Sequence, residues 1–142
     1  MDRAELQAFA DRYIETWQRR NPAALAQYHA ADGVVESPMY QTRRGRAAIE
    51  EAYRAFFTSF PDVTTEVEAV LIDPPRLALF TIINATHVNE FFGLQGTNRH
   101  IEFRNARLLE VSEGLIKHER RIYDFTGILV KVGVLRALPA KP

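Results

Sequence analysis

Hydrophobic residues near the start of the chain recur every three or four positions, the period of an amphipathic helix. This spacing predicts a first helix from about Asp2 to Arg20, with an apolar stripe formed by Leu6, Phe9, Ala10, Tyr13 and Trp17. Asn21 and Pro22 favour the start of a short second helix, as cap and as first helical residue.

Between the second and third helices the pattern is shorter and less regular. Asp32-Gly33 predicts a turn, and the sequence VVES predicts a short strand that ends at Pro38. A loop with Tyr40, Arg43 and Arg44 is expected to follow. A third helix should begin near Gly45 and end before Pro61-Asp62, with an apolar stripe of Ile49, Ala52, Tyr53, Phe56, Phe57 and Phe60.

After Pro61 the period changes from helical to alternating, which predicts strands. Four are expected, joined by turn-forming residues: Val63–Ile72, Arg76–Asn89, Arg99–Val111 and Leu115–Phe125. Helices followed by long strands predict a single α+β domain over residues 1–142, with a frayed tail from about residue 137.

Alternation assigns each strand two faces. On the last strand, the face predicted to meet water holds Leu115, Lys117, Glu119, Arg121 and Tyr123. The face predicted to look inward holds Ile116, His118, Arg120, Ile122 and Asp124. Ionisable groups on a partly apolar inner face are costly in a plain core, so this pattern favours a pocket wall.

Two other strands support the predicted pocket and predict a subunit interface. The inward face of the preceding strand carries Asn105 and Arg107 between apolar residues. The strand Arg76–Asn89 is apolar on both faces, which favours helices on one side and a partner subunit on the other, and therefore a homodimer. Aromatic side chains of the helices are expected to close the pocket: Tyr13, Trp17 and Phe57.

Composition excludes several classes of protein. The 142 residues are 46% hydrophobic, with 18 basic and 18 acidic side chains, so no net charge favours nucleic acid or an anionic membrane. The absence of cysteine excludes disulfides and thiolate metal sites. No signal peptide or membrane span is expected, and a cytoplasmic location is predicted. The four histidines lack paired metal-ligand spacing, so no metal or other cofactor is expected.

Three segments resemble a known family: a helix ending in FFTSFPD, the stretch THVNEFFG, and YDFTGILVKVG near the end. In this order they resemble the SnoaL-like polyketide cyclases, or ester cyclases, of the nuclear-transport-factor-2-like superfamily. The resemblance implies a cone-shaped fold with three N-terminal helices on a strongly curved antiparallel sheet that encloses a pocket. It also implies cofactor-free proton abstraction next to a carbonyl or ester of a small apolar substrate, with Asp124 as the base.

The chain departs from the family pattern in two places. Arg120 stands where members commonly have Trp, and Glu36-Ser37-Pro38 stands where many have His-Asp-Pro. The superfamily also contains isomerases, dehydratases, epoxide hydrolases and non-catalytic binding modules, and fold alone does not choose among them. Three functions are therefore weighed: a cyclase or isomerase, a small-ligand or protein-binding module, and an epoxide hydrolase in which Asp124 or Glu36 activates water.

Each candidate residue also has a purely structural explanation. Asp124 is either the catalytic base or the cap of a helix that begins at Phe125. Arg120 either anchors a substrate oxygen or forms a salt bridge to a neighbouring element. His118 is either a third catalytic residue or an inner-wall histidine with satisfied hydrogen bonds. The predicted substrate-binding residues are Tyr13, Trp17, Phe57, Asn105, Arg107 and Ile122.

Overall fold

A computed structural model describes all residues, 1–142, and contains four helices and six strands. In chain order the elements are α1 (Arg3–Gln18), α2 (Pro22–Ala26), β1 (His29–Ser37), β2 (Gln41–Arg44), α3 (Arg46–Ser59), β3 (Thr64–Asp73), β4 (Arg76–Thr86), β5 (His100–Ser112), β6 (Leu115–Ile122) and α4 (Phe125–Val132).

Three of the four helices begin at a capping side chain, and α3 begins at Gly45 without one. Asp2 accepts a hydrogen bond from the backbone N–H of Glu5, and the Glu5 side chain accepts one from the backbone of Asp2, which forms a capping box at α1. Asn21 caps α2. Gly133 ends α4 in the left-handed conformation, with φ 97°, where a side chain would add strain.

The six strands form one sheet in the order β2-β1-β6-β5-β4-β3. The α+β architecture predicted from the sequence is confirmed, and the four strands after Pro61 pair antiparallel in chain order. The sheet as a whole is mixed, because β1 runs parallel to β6. Asp32-Gly33 lies within β1, at an irregularity in its pairing with β6, so the predicted turn was wrong. The predicted loop after Pro38 contains the short strand β2.

One core lies between the helices and the inner face of the sheet. It contains 26 buried apolar side chains from the helices and the strands. On β4, Leu77, Leu79 and Ile83 are buried on this inner face, as alternation predicted. None of the four helices is both long and apolar enough to cross a membrane.

A bulge in β6 reverses the predicted faces of that strand. His118 pairs with Glu110, but Ile116 pairs with Val111, so β6 has one extra residue, Lys117, at this point. Since strand side chains alternate, one extra residue moves every later side chain to the other face. Glu119 is fully buried, whereas Ile122 on the outer face is 64% exposed. The predicted orientation of β6 beyond Ile116 was therefore wrong.

Candidate functional site

A pocket lies between α1, α3 and the inner face of the sheet. Twelve residues line it, nine of them hydrophobic; its polar members are Asn105, Arg107 and Arg121. The pocket leaves about 30 Å³ of free space, enough for one or two water molecules. Known ligand sites hold roughly 300–1,000 Å³, so an organic ligand must displace a wall residue. Tyr40 is the candidate, because it also lines an adjacent open groove of about 430 Å³.

A cluster of buried charged residues lies beside the pocket wall. The Glu119 carboxylate accepts hydrogen bonds from Arg121 Nε and, at 2.9 Å, from the Tyr13 hydroxyl. Arg107 Nη1 lies 3.9 Å from the same carboxylate. Glu119 is fully buried, and the side chains of Arg107 and Arg121 are 3% and 11% exposed. Two guanidinium groups therefore face one carboxylate with almost no solvent.

The same cluster continues to a tyrosine and a histidine. The Tyr53 hydroxyl accepts a hydrogen bond from Arg121 Nη2 at 3.0 Å, and it lies 3.0 Å from the Tyr13 hydroxyl. It also lies 2.8 Å from His29 Nε2. Tyr53 lines the pocket, so this chain of hydrogen bonds joins the pocket wall to Glu119.

Burial and charge shift the pKa values of this cluster. Burial lowers the pKa of the His29 imidazole to about 4; Glu119 opposes this shift, and the nearby arginines add to it. Burial alone would raise the pKa of Glu119, but the Arg121 and Arg107 guanidiniums lower it to about 2. At neutral pH His29 is uncharged and Glu119 is ionised, so the cluster carries one net positive charge.

Three of the five buried side-chain polar atoms that lack a hydrogen-bond partner belong to residues of the pocket wall. They are Trp17 Nε1, Asn105 Oδ1 and Arg107 Nε; the other two are His29 Nδ1 and His87 Nε2. The Arg107 guanidinium stacks on the Trp17 ring, with its central carbon 4.2 Å from the ring centroid. Buried polar groups are nearly always paired, so two free donors and one free acceptor around one pocket indicate a place for a ligand.

The structure places the six predicted substrate-binding residues in four locations. Trp17, Asn105 and Arg107 line the pocket. Tyr13 lies behind the wall, hydrogen-bonded to Glu119 and Tyr53. Phe57 packs in the core against Trp17, with ring centroids 5.2 Å apart. The predicted position of Ile122 in the pocket was wrong, because it projects from the outer face.

Asp124 does not point into this pocket, so its predicted orientation was wrong. It is the N-cap of α4, and its Oδ1 accepts a hydrogen bond from the backbone N–H of Gly127 at 2.9 Å. The residue is exposed and borders a separate outer groove with Lys131. Of the two explanations offered by the sequence, the geometry is that of the cap, and a catalytic role of Asp124 stays a prediction.

His118 and Arg120 also lie outside the pocket, because they follow the β6 bulge. Both contact Glu36 on the neighbouring strand: His118 Nε2 at 2.5 Å and Arg120 Nη2 at 3.4 Å from Glu36 Oε2. All three side chains are more than one-third exposed. The salt bridge expected for Arg120 as an alternative is the contact that forms.

Sequence reasoning missed two of the three charged residues of the buried cluster. Glu119 and Arg121 were assigned to the solvent face, and His29 and Tyr53 were not considered for the site. One signal was present: opposite charges two positions apart on a strand share a face and can pair. That spacing identifies the Glu119–Arg121 pair, but not the side of the sheet on which it lies.

Comparisons of the fold show the same architecture in several solved structures. AclR from Streptomyces galilaeus superposes with a TM-score of 0.83 and 23% identity, over 97% of this chain and 87% of that one. TsrD from Streptomyces laurentii gives 0.80 and 16% identity, over 95% and 99% of the two chains. A SnoaL-like polyketide cyclase from Agrobacterium tumefaciens gives 0.71 and 18%, over 87% and 94%. At these identities the likeness establishes the fold.

Of the two sequence comparisons, one covers about half of the chain and the other nearly all of it. A steroid Delta-isomerase from Nocardioides simplex is 41% identical over 68 residues, which are 47% of this chain and 54% of the isomerase. The matched part thus spans about half the length of that curated relative. The model of the SnoaL-like polyketide cyclase family matches residues 7–131, nearly the whole chain. The protein therefore belongs to the SnoaL-like polyketide cyclase family.

Proposed function

We propose that the protein is an enzyme of the cyclase or isomerase type that binds a small carbonyl compound in the pocket and stabilises its enolate. The proposal is carried by the unpaired donors of the pocket wall, Trp17 Nε1–H and Arg107 Nε–H. Donors held in place by packing and aimed at a developing oxyanion are a main source of rate enhancement in enolate chemistry. Relatives named as polyketide cyclase and steroid isomerase support the same class of reaction.

The electrostatics of the pocket limit which substrates could lose a proton from carbon there. The carboxylate that is hydrogen-bonded to the pocket wall, through Arg121, is Glu119, whose low pKa makes it a weak base. A weak base beside an excess of positive charge suits a substrate whose C–H is already acidic, such as the carbon between two carbonyls. In this proposal the acidic C–H loses its proton to a water molecule in the pocket, and the arginine and indole groups hold the enolate. The enolate then attacks a second carbonyl or takes a proton back from water at another carbon, without a cofactor. Tyr53 and Asn105 orient the remaining oxygens.

The test is exchange of α-protons in D₂O, which reports enolate formation without the natural substrate. A panel of aryl ketones and β-keto esters is followed by ¹H NMR at a pD where uncatalysed exchange is slow. We expect catalysed exchange for at least one 1,3-dicarbonyl, and a loss of about 10²–10³-fold in Arg107→Met, the usual effect of removing an oxyanion donor. Arg104→Met, which removes an exposed arginine paired with Glu68, should retain the wild-type rate.

The same assay decides the role of Asp124. Because Asn caps a helix nearly as well as Asp, Asp124→Asn should keep both fold and exchange rate if the residue is only a cap. A loss of about 10²–10⁴-fold would instead restore Asp124 as general base. Equal exchange in wild type, Arg107→Met and buffer would contradict the proposed function.

A non-catalytic small-ligand-binding module is the second candidate, favoured by one observation. The carboxylate expected to act as base is used as a cap, and Glu119 is held by two arginines. Such a module would bind a carbonyl compound without exchange of its α-protons. Epoxide opening receives no support from the pocket, since neither Asp124 nor Glu36 lines it.

We also propose that the protein is a homodimer through the outer face of the sheet. Four large apolar side chains on this face are 40–64% exposed, on four adjacent strands: Leu71, Phe80, Leu108 and Ile122. A contiguous apolar surface of this kind is typical of a subunit interface.

Light scattering at micromolar concentration should give about twice the chain mass of 16.2 kDa. Phe80→Lys should shift the mass to that of a monomer, because it places a charge in the interface. Leu138→Lys, at a 75% exposed position in the C-terminal tail, is the matched control and should remain dimeric. A monomeric wild-type protein would remove this proposal.

A further inference from the structure

We propose that the pocket selects a small apolar monoanion whose charge is shared by two oxygens, a carboxylate or the enolate of a 1,3-dicarbonyl, and that Arg107 is the residue that selects it. The inference rests on the pocket of the proposed function, but not on catalysis there. It concerns the charge of the bound ligand before any reaction.

The charge count of the cluster identifies Arg107 as the excess cation. Arg121 is the arginine paired with the carboxylate, because it donates to Glu119 through Nε, and it also donates to Tyr53 through Nη2. Arg107 is more loosely held: its Nη1 lies 3.9 Å from Glu119 and donates to the Tyr13 hydroxyl at 3.2 Å, and its Nε has no partner. One carboxylate therefore balances one arginine, and the second remains without an anion.

An uncompensated buried cation is costly, so proteins rarely retain one without a use. Arg107 is 3% exposed, and surface water and salt do not compensate it. A bound anion would supply both the missing charge and the missing acceptor for Nε. Besides Arg121, the other ionisable groups of the wall are the hydroxyls of Tyr40, Tyr53 and Tyr123, which stay neutral because burial raises the pKa of each.

The other lining groups define the rest of the ligand. Trp17 Nε1–H and Arg107 Nε–H are separate free donors, which suits an anion with two oxygen atoms. Nine of the twelve lining residues are hydrophobic, so the body of the ligand is apolar. Asn105 Oδ1 is a free acceptor that fits a hydroxyl of the ligand. A phosphate or sulfate dianion would exceed the single unbalanced charge and would leave oxygens unpaired against apolar walls.

The chain contains a single tryptophan, which gives a site-specific measurement. In a ¹⁵N-labelled sample, the indole N–H signal of Trp17 reports on the pocket. The probes are acetate and benzoate, their neutral counterparts acetamide and benzamide, and the enolate of 1,3-cyclohexanedione. We expect a saturable shift of the indole signal with at least one anion, and at least tenfold weaker binding of the matching amide.

The variants test the assignment to Arg107. Arg107→Met should lose the preference for the anion over its amide, whereas Arg104→Met should keep it. Binding by the carboxylates alone or by the diketone enolate alone identifies the source of the anion. Equal affinity for anion and amide in the wild-type protein would overturn the proposal, and this comparison does not depend on the folding of any variant. A preserved preference in a folded Arg107→Met would overturn it as well.

The outcome is separable from that of the proton-exchange assay. Selective anion binding without α-proton exchange would leave this inference standing and would remove the proposed enzyme activity. Exchange of α-protons without any preference for anions would overturn this inference and leave the proposed enzyme activity standing.

Discussion

Replacing Glu119 with Gln should destabilise the protein by about 3–5 kcal/mol, the usual effect of removing one partner from a buried ion pair. The carboxylate is fully buried and lies within 4 Å of both Arg107 and Arg121. Glutamine preserves the size of the side chain but leaves two guanidiniums facing each other without an anion. The large effect comes from this uncompensated charge more than from the lost hydrogen bonds.

Removing the excess cation should partly reverse the loss. Arg107→Met alone leaves a balanced pair of Glu119 and Arg121, so its destabilisation should be smaller than that of Glu119→Gln. In the double variant, one buried arginine remains without a carboxylate, the same net charge as in the wild type. We therefore expect the double variant to be more stable than Glu119→Gln, with a coupling of about 0.5–3 kcal/mol between the two sites.

Urea unfolding of the four proteins measures these differences. Glu68→Gln is the matched control, because Glu68 pairs with Arg104 on the surface, where an ion pair contributes about 0–1 kcal/mol. If Glu119→Gln were as stable as Glu68→Gln, the Glu119 carboxylate would not be compensating the charges of the buried arginines. The charge argument for the pocket would then fail with it.

The helices and the regular strands could be predicted because local pattern alone determines them. Helices α1 and α3 follow an unbroken period of three to four, and Asp2 and Asn21 cap α1 and α2. Strands β4 and β5 pair without irregularity over eleven residues. Alternation therefore placed Asn105 and Arg107 correctly on the inner face.

The site could be predicted only where the alternation was unbroken. The bulge at Lys117 leaves no clear sequence signal, since it depends on pairing with β5 and on the parallel contact with β1. Once it is present, the inward positions pass from His118, Arg120 and Ile122 to Glu119, Arg121 and Tyr123. The inward position of Glu119 and Arg121 therefore depends on a non-local contact that periodicity does not contain.

Acid should destabilise the protein in two stages, the first of which comes from His29. Burial lowers the pKa of this imidazole from 6.5 to about 4. Between these values the unfolded chain binds a proton at His29 and the folded chain does not. Stability therefore falls as the pH falls from 6.5 to 4, by about 3 kcal/mol in total.

The second stage comes from Glu119. Its pKa is lowered from 4.5 to about 2 in the folded protein, by Arg121 and Arg107 against the opposing effect of burial. Below pH 4.5 the unfolded chain takes up a proton that the folded chain does not. This contributes a further loss of about 3 kcal/mol as the pH falls to 2. Together the two stages are comparable to the whole stability of a typical domain, about 5–15 kcal/mol, so we expect acid unfolding above pH 2.

Free energies of unfolding measured in urea from pH 7.5 to 3 separate the two stages. His29→Gln removes the titrating group, so its stability should be nearly flat between pH 6.5 and 4.5 and should fall only below that. His100→Gln, which changes an exposed histidine, should keep the wild-type slope. If the wild-type slope between pH 6.5 and 4.5 survives in His29→Gln, the acid sensitivity has another origin. If no slope appears in the wild type, the pKa of His29 is the same in the folded and unfolded protein, and the lowering assigned to burial is wrong.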